Sequence, residues 1–216
     1  MSKELLEEYI QTENIESLKN LLDLSPELAT CTTSYSVSPL MLSCYMKKPL
    51  VSKVLLTYLN ELNIYEAAAA GKFDMVANII YYHPEQVNSY SSDGFAPLGL
   101  ACYFGHEEIA RYLLLKGAEV NAPSQNGYNV YPLHSAVAAN NLDITKILLE
   151  AGATVNIAQQ SGVTPLHSAA SHGNIEMLIL LLEAGAAVNV KSDDGRTPAE
   201  LAAEKGFPEI ARILSE

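Results

Sequence analysis

The chain has 216 residues, 49% of them apolar, with a formal net charge of −12. That is apolar material enough for the core of one or two domains, but no apolar run reaches the roughly 18 residues of a membrane-crossing helix. Thirteen Lys and Arg are dispersed among 25 Asp and Glu, and three cysteines stand far apart, which argues against nucleic-acid binding, a disulfide framework and a zinc site.

The opening segment is acidic and amphipathic, and Leu5 to Leu22 predicts a pair of helices. It has no basic start, apolar stretch or small-residue cleavage site, so no signal peptide is expected. Next comes Ser38-Pro39-Leu40-Met41-Leu42-Ser43-Cys44. Proline suits a first helical turn, because its φ is preset and the missing N–H has no partner there anyway, while the preceding Ser or Thr can cap the helix. Ile64-Tyr65-Glu66-Ala67-Ala68-Ala69-Ala70-Gly71 follows after only about 24 residues, a shorter step than the ordinary repeat, and lacks the proline start. The junction from Leu59 to Ile64 is too short for a full hairpin, and a change of curvature is expected there.

Further on, Ala96-Pro97-Leu98-Gly99-Leu100-Ala101-Cys102 restores the pattern. It returns as Tyr131-Pro132-Leu133-His134-Ser135-Ala136, as Thr164-Pro165-Leu166-His167-Ser168-Ala169, and as Thr197-Pro198-Ala199-Glu200-Leu201-Ala202. Pro132, Pro165 and Pro198 are 33 residues apart, whereas Pro97 precedes Pro132 by 35. The two extra residues fall between Ser124 and Val130, where Asn126-Gly127 signals a tight turn. The patterns at Pro97, Pro132 and Pro165 each lead into a Leu-Leu run that ends in Gly-Ala-x-Val-Asn, at Gly117 to Asn121, Gly152 to Asn156 and Gly185 to Asn189. A short polar helix from Pro208 to Ser215 closes the chain.

In-phase recurrence of this kind resembles the ankyrin repeat, whose signature runs Thr-Pro-Leu-His-x-Ala-Ala, Gly-His, Leu-Leu and Gly-Ala-x-Val-Asn. The likeness is strong from residue 91 onward and looser before it. The resemblance implies an all-α solenoid of about seven helix-turn-helix units with short β-hairpin loops, the units spanning roughly 1–30, 31–59, 60–90, 91–123, 124–158, 159–191 and 192–216. No unit buries its apolar face alone, and stacking buries a continuous one.

Catalytic constellations are weak. In the resembled family the histidine of Thr-Pro-Leu-His ties down a neighbouring loop, the role expected of His134 and His167. Cys102 and His106 are four residues apart, but Gly105 intervenes and no third group orients them. His167 and His172 have the wrong spacing for shared metal ligation. Asp193-Asp194-Gly195 lacks the downstream acids of a calcium loop. No cofactor, no metal and no enzymatic activity are expected.

Family partners usually lie along the concave side, against loop tips and first helices. Transferred by alignment, the contact positions include Tyr35, Tyr45, Met46, Phe95, Tyr103, Phe104, Tyr128, Val130, His172 and Arg196. All twelve tyrosines precede Pro132, so an aromatic binding surface is expected over units two to five, while Tyr58, Tyr81 and Tyr112 are expected to pack between helices. Alanine at both Tyr103 and Phe104 is expected to remove partner binding and leave the melting temperature nearly unchanged. The implied function is a protein–protein interaction module, an adaptor, scaffold or inhibitor. The alternative is a regulator or effector acting on a companion or host protein, with an enzyme or small-molecule binder behind both. The acidic surface favours a basic partner, and a monomer in the reducing cytoplasm is the default expectation.

Overall fold

The computed structural model describes residues 2–215. Among these lie fourteen α-helices in consecutive pairs. The first pairs are α1 (Ser2–Thr12) with α2 (Ile15–Leu24), α3 (Pro39–Tyr45) with α4 (Pro49–Leu55), and α5 (Ile64–Ala69) with α6 (Phe73–Tyr82). Then come α7 (Pro97–Phe104) with α8 (Glu107–Leu115), and α9 (Pro132–Ala138) with α10 (Leu142–Glu150). The last are α11 (Pro165–His172) with α12 (Ile175–Glu183), and α13 (Pro198–Glu204) with α14 (Pro208–Ile213).

Odd-numbered helices pack in succession from α1 to α13 and form one layer. In the second layer α2 meets α4, α6 meets α8, α8 meets α10 and α10 meets α12. The leucine after the prolines at 39, 97, 132 and 165 is buried each time, as Leu40, Leu98, Leu133 and Leu166, each worth about 2 kcal/mol of transfer free energy. Buried alanines such as Ala68, Ala101, Ala136 and Ala169 let neighbouring odd helices approach closely. Ser38 caps α3 by accepting from the Met41 N–H, and Thr197 caps α13 in a reciprocal capping box with Glu200.

No strand occurs among the described residues, so the expected β-hairpins are turns instead. Four of them are closed by a tight-turn bond (Ser36 N–H to Thr33 O, Gly94 to Ser91, Gly162 to Gln159, Gly195 to Ser192) and one bond across the mouth, too little for a ladder. Thr33 N–H donates to Val37 O, Ser91 to Phe95, Gln159 to Val163 and Ser192 to Arg196. The turn with the insertion closes from Ser124 to Val130, two residues wider. Successive turns are stitched together by Gln125 N–H to Gly94 O at 2.7 Å, Gln160 to Tyr128 at 2.9 Å and Asp193 to Ser161 at 2.9 Å. Gly94 is required at such a seam. Its φ is +83°, and a Cβ there would stand 2.8 Å from the Asn126 backbone nitrogen.

Asparagines tie the second layer together. Asn121 accepts from the Thr154 N–H at 2.9 Å and donates to Gly152 O, while Asn156 does the same with Ala187 and Gly185. This is the physical content of the Gly-Ala-x-Val-Asn motif. Asn88 makes the equivalent pair with Glu119 and Gly117, although it lies at the end of a 3₁₀ turn, Pro84–Asn88. A matching turn, Pro26–Thr30, follows α2.

Between α4 and α5 the chain has neither a 3₁₀ turn of this kind nor a closed hairpin. Asn63 starts α5 at once through a capping box with Glu66, and α4 and α6 scarcely touch.

Candidate interaction surface

The turn joining the two helices of each pair needs one residue with positive φ. That residue is Gly71, Gly105, Gly173 and Gly206 in four pairs, but Glu13, Lys47 and Asn140 in the others. These turns lie at the C-terminal ends of the odd helices, where several expected contact residues come together. Tyr45 lies 5.4 Å, centroid to centroid, from Phe104 and 6.4 Å from Tyr103, and Tyr103 packs edge-on to Phe104 at 5.1 Å. Tyr45 is half-buried and donates its hydroxyl to Asp93 Oδ2 at 2.5 Å. Burial, then the Asp93 carboxylate, pushes its pKa upward. Phe104 is also half-buried against the core, whereas Tyr103 is 37% exposed.

Phe104 therefore cannot serve as a silent probe, since truncating it removes packing as well as surface. Tyr103 alone is the cleaner probe. Met46 likewise packs against the core.

Other expected positions stand apart. Tyr35 and Tyr128 are exposed on turns, and Tyr35 accepts a hydrogen bond from Gln11 at 3.0 Å. Phe95 and Val130 are half-buried at the closing ends of their turns. His172 is exposed at the end of α11. Arg196 is held between Asp194 and Glu204, which keep its guanidinium charged, while its hydrogen bond holds the Asp194 carboxyl well below the usual range. Tyr112 packs edge-on to Phe73 at 5.4 Å, and Tyr58 donates to Asp23 at 2.6 Å. Tyr81 departs from expectation: it is 78% exposed, because at about 100° per residue it falls off the face of α6 that buries Val76 and Ile80, and it pairs with Tyr82 instead.

The aromatic cluster borders a cleft of about 770 Å³. Among the described residues its lining includes Lys47, Lys48, Lys53 and Lys72 and not one Asp or Glu. The cationic residues are thus less dispersed than their spacing suggests. Folding brings a helix turn, α4 and a second helix turn to one place. One signal was present in the sequence: no acidic residue occurs between Glu27 and Glu61.

Groups with chemical potential are otherwise engaged. Burial raises the Cys102 thiol pKa far above its ordinary value, and His106 turns its Nε2 to Ala69 O at 2.9 Å rather than to the thiol. His134 Nε2 reaches Val163 O at 3.0 Å and His167 Nε2 reaches Arg196 O at 3.1 Å, so each ties the following turn to its helix. Burial lowers His134 to about 4 and lowers His167 as well, and both stay neutral at pH 7. Among the described residues no three His, Cys, Asp or Glu side chains are grouped to hold a metal ion, and no helix is long and apolar enough to cross a membrane.

Stacked helix pairs, stitched turns and a continuous side-chain surface define a repeat solenoid. The family model for ankyrin repeats (3 copies) matches residues 64–159 and again 133–216, and the chain belongs to the ankyrin-repeat family. It is similar to BCL-6 corepressor-like protein 1 of Homo sapiens, 38% identical over 98 residues, 45% of this chain and 5% of that protein. It is also similar to ZDHHC13 of Danio rerio, a protein named for palmitoyltransferase activity, at 32% over 153 residues, 56% of this chain and 24% of the relative. Ankyrin repeat and SAM domain-containing protein 6 of Rattus norvegicus is 35% identical over 103 residues, 47% of this chain and 11% of that protein. The chain spans less than a quarter of the length of each of these three. Ankyrin repeats are protein–protein interaction modules.

Proposed function

We propose that the chain acts as an adaptor, scaffold or inhibitor, a monomer of seven repeat units with the boundaries given above. Its partner is another protein, bound on the concave face over units two to five, and the setting is the cytoplasm. The observation that carries this reading is the aromatic cluster at the ends of α3 and α7, where Tyr103 stands partly exposed over Tyr45 and Phe104. Tyrosine is a favoured hot-spot residue because it is large, rigid and able to hydrogen-bond. The net charge of −12 favours a partner that is basic over most of its surface.

The test is affinity capture from native extract, comparing wild type with Tyr103→Ala. A protein held by the wild type and released by the variant, with the melting temperatures equal within a few degrees, supports the proposal. A binding loss that tracks a large fall in melting temperature, or equal capture by both, overturns the assignment of this face.

A further inference from the structure

Four of the thirteen Lys and Arg residues line one cleft in a strongly acidic protein. Lys48 lies 3.5 Å from the Glu13 carboxylate, whereas among the described residues Lys47, Lys53 and Lys72 make no ion pair. Glu66, the carboxylate whose charge is felt at nearby Cys44, is buried and committed to the Asn63 cap. The cleft therefore holds several uncompensated positive charges beside a floor of Tyr103, Phe104 and alanines.

Lys47 also occupies an unfavourable turn position. Its φ is +54°, in the turn position that four other pairs fill with glycine. A left-handed backbone is unfavourable for a residue with a Cβ, so the lysine is kept where glycine would be more stable. Glu13 and Asn140 take the same conformation in their turns, so what sets Lys47 apart is its unpaired charge on the open cleft.

The geometry points to a binding site for a short acidic segment of the partner, with Asp or Glu carboxylates on the lysines and an apolar side chain on the Tyr103 floor. This rests on the reading of the same face as the partner-binding surface. The cleft's cationic side chains are lysines, separate point charges that suit carboxylates spaced along a chain. The acidic remainder of the molecule repels an extended polyanion such as a nucleic acid, but tolerates a few carboxylates confined to the cleft. The partner is then basic overall and carries one acidic stretch, and the cleft sets its register.

The experiment measures fluorescence anisotropy of a labelled peptide alternating Glu and Leu. Lys–Leu and phosphoserine–Leu peptides of equal length and a single-stranded oligonucleotide serve as the other probes. The Glu–Leu peptide binds best, its affinity falls as salt rises, and Lys53→Ala and Lys72→Ala each weaken it roughly tenfold. Lys47→Gly weakens it similarly while raising the melting temperature, a combination that a misfolded variant cannot produce. Preference for the phosphopeptide or the oligonucleotide, equal binding by the lysine variants, or no binding of the Glu–Leu peptide overturns the proposal. If it fails while Tyr103→Ala still releases the captured partner, the interaction surface stands without the acidic-segment site. Equal partner capture by Tyr103→Ala and wild type overturns the surface itself.

Discussion

Residues 2–90 and residues 91–215 build the same stack with different closures. In the second region Asn121 and Asn156 leave a Gly-Ala-x-Val-Asn motif to grip the next pair. In the first, Asn88 makes the same two bonds from the end of a 3₁₀ turn. Thr33 and its turn are held from α1 by Glu7, whose carboxylate accepts from Ser34 N–H and Oγ. Thus the bonds that join neighbouring pairs persist while the sequence that supplies them changes. A solenoid needs each junction satisfied, and motif similarity is only one way of satisfying it.

The comparison can be tested in order of effect. Leu133→Ala removes a buried side chain from the middle of the stack and is expected to cost about 3 kcal/mol, read by chemical denaturation. A cost below about 1 kcal/mol would mean the two layers collapse around the gap. Next in size is Asn121→Ala against the Asn88→Ala equivalent. Each removes two hydrogen bonds from a solvent-exposed junction, and each should cost about 1 kcal/mol. A much smaller loss at Asn88 would show that the 3₁₀ closure carries its junction differently.

The pH response comes third. His134 is held at about 4 by burial, below the ordinary value near 6.5. The unfolded chain therefore takes up a proton that the folded chain refuses. Stability from this group is full above about pH 6.5 and is lost as pH falls toward 4, by at most ~1.4 kcal/mol per pH unit. His134→Asn should flatten the fall in melting temperature between pH 7 and pH 5. An unchanged slope would place the acid sensitivity elsewhere.

The smallest effect contrasts the two turn histidines. His167 Nδ1 has the Thr164 hydroxyl at 2.8 Å, but His134 Nδ1 is buried without a partner, because the matching residue is Tyr131. Tyr131→Thr supplies the hydroxyl and should stabilise by about 1 kcal/mol, offset in part by the lost ring contact at 5.7 Å. A drop in melting temperature would show that the ring contact outweighs the hydrogen bond.

Much of this architecture was legible beforehand. The prolines at 39, 97, 132, 165 and 198 each open a helix where the motif places it, since a preset φ and a missing donor fit only one end of a helix. The widened turn at Ser124 to Val130 was visible as a spacing of 35 rather than 33. The lysine cleft was legible only in part: Lys47, Lys48 and Lys53 lie in one acid-free stretch, but Lys72 and the floor of Tyr103 and Phe104 join them only through folding. Membership of a second helix does not by itself place Tyr81 in the interior, since its phase relative to the buried Val76 and Ile80 turns it to solvent. Nor did alignment show that Arg196 already has two carboxylate partners, one of them on the following helix.

The sparse seam between α4 and α6 has a mechanical consequence. A molecule joined end to end by nearest-neighbour contacts carries tension through its junctions in series, so its strength is that of its weakest joint. Stretched from the two ends, this chain would part first near residues 56–63, leaving α1–α4 as one block and α5–α14 as another. The lysines of that region lie on both sides of the parting line, Lys47, Lys48 and Lys53 on one block and Lys72 on the other. Whatever rests across them acts as a rivet.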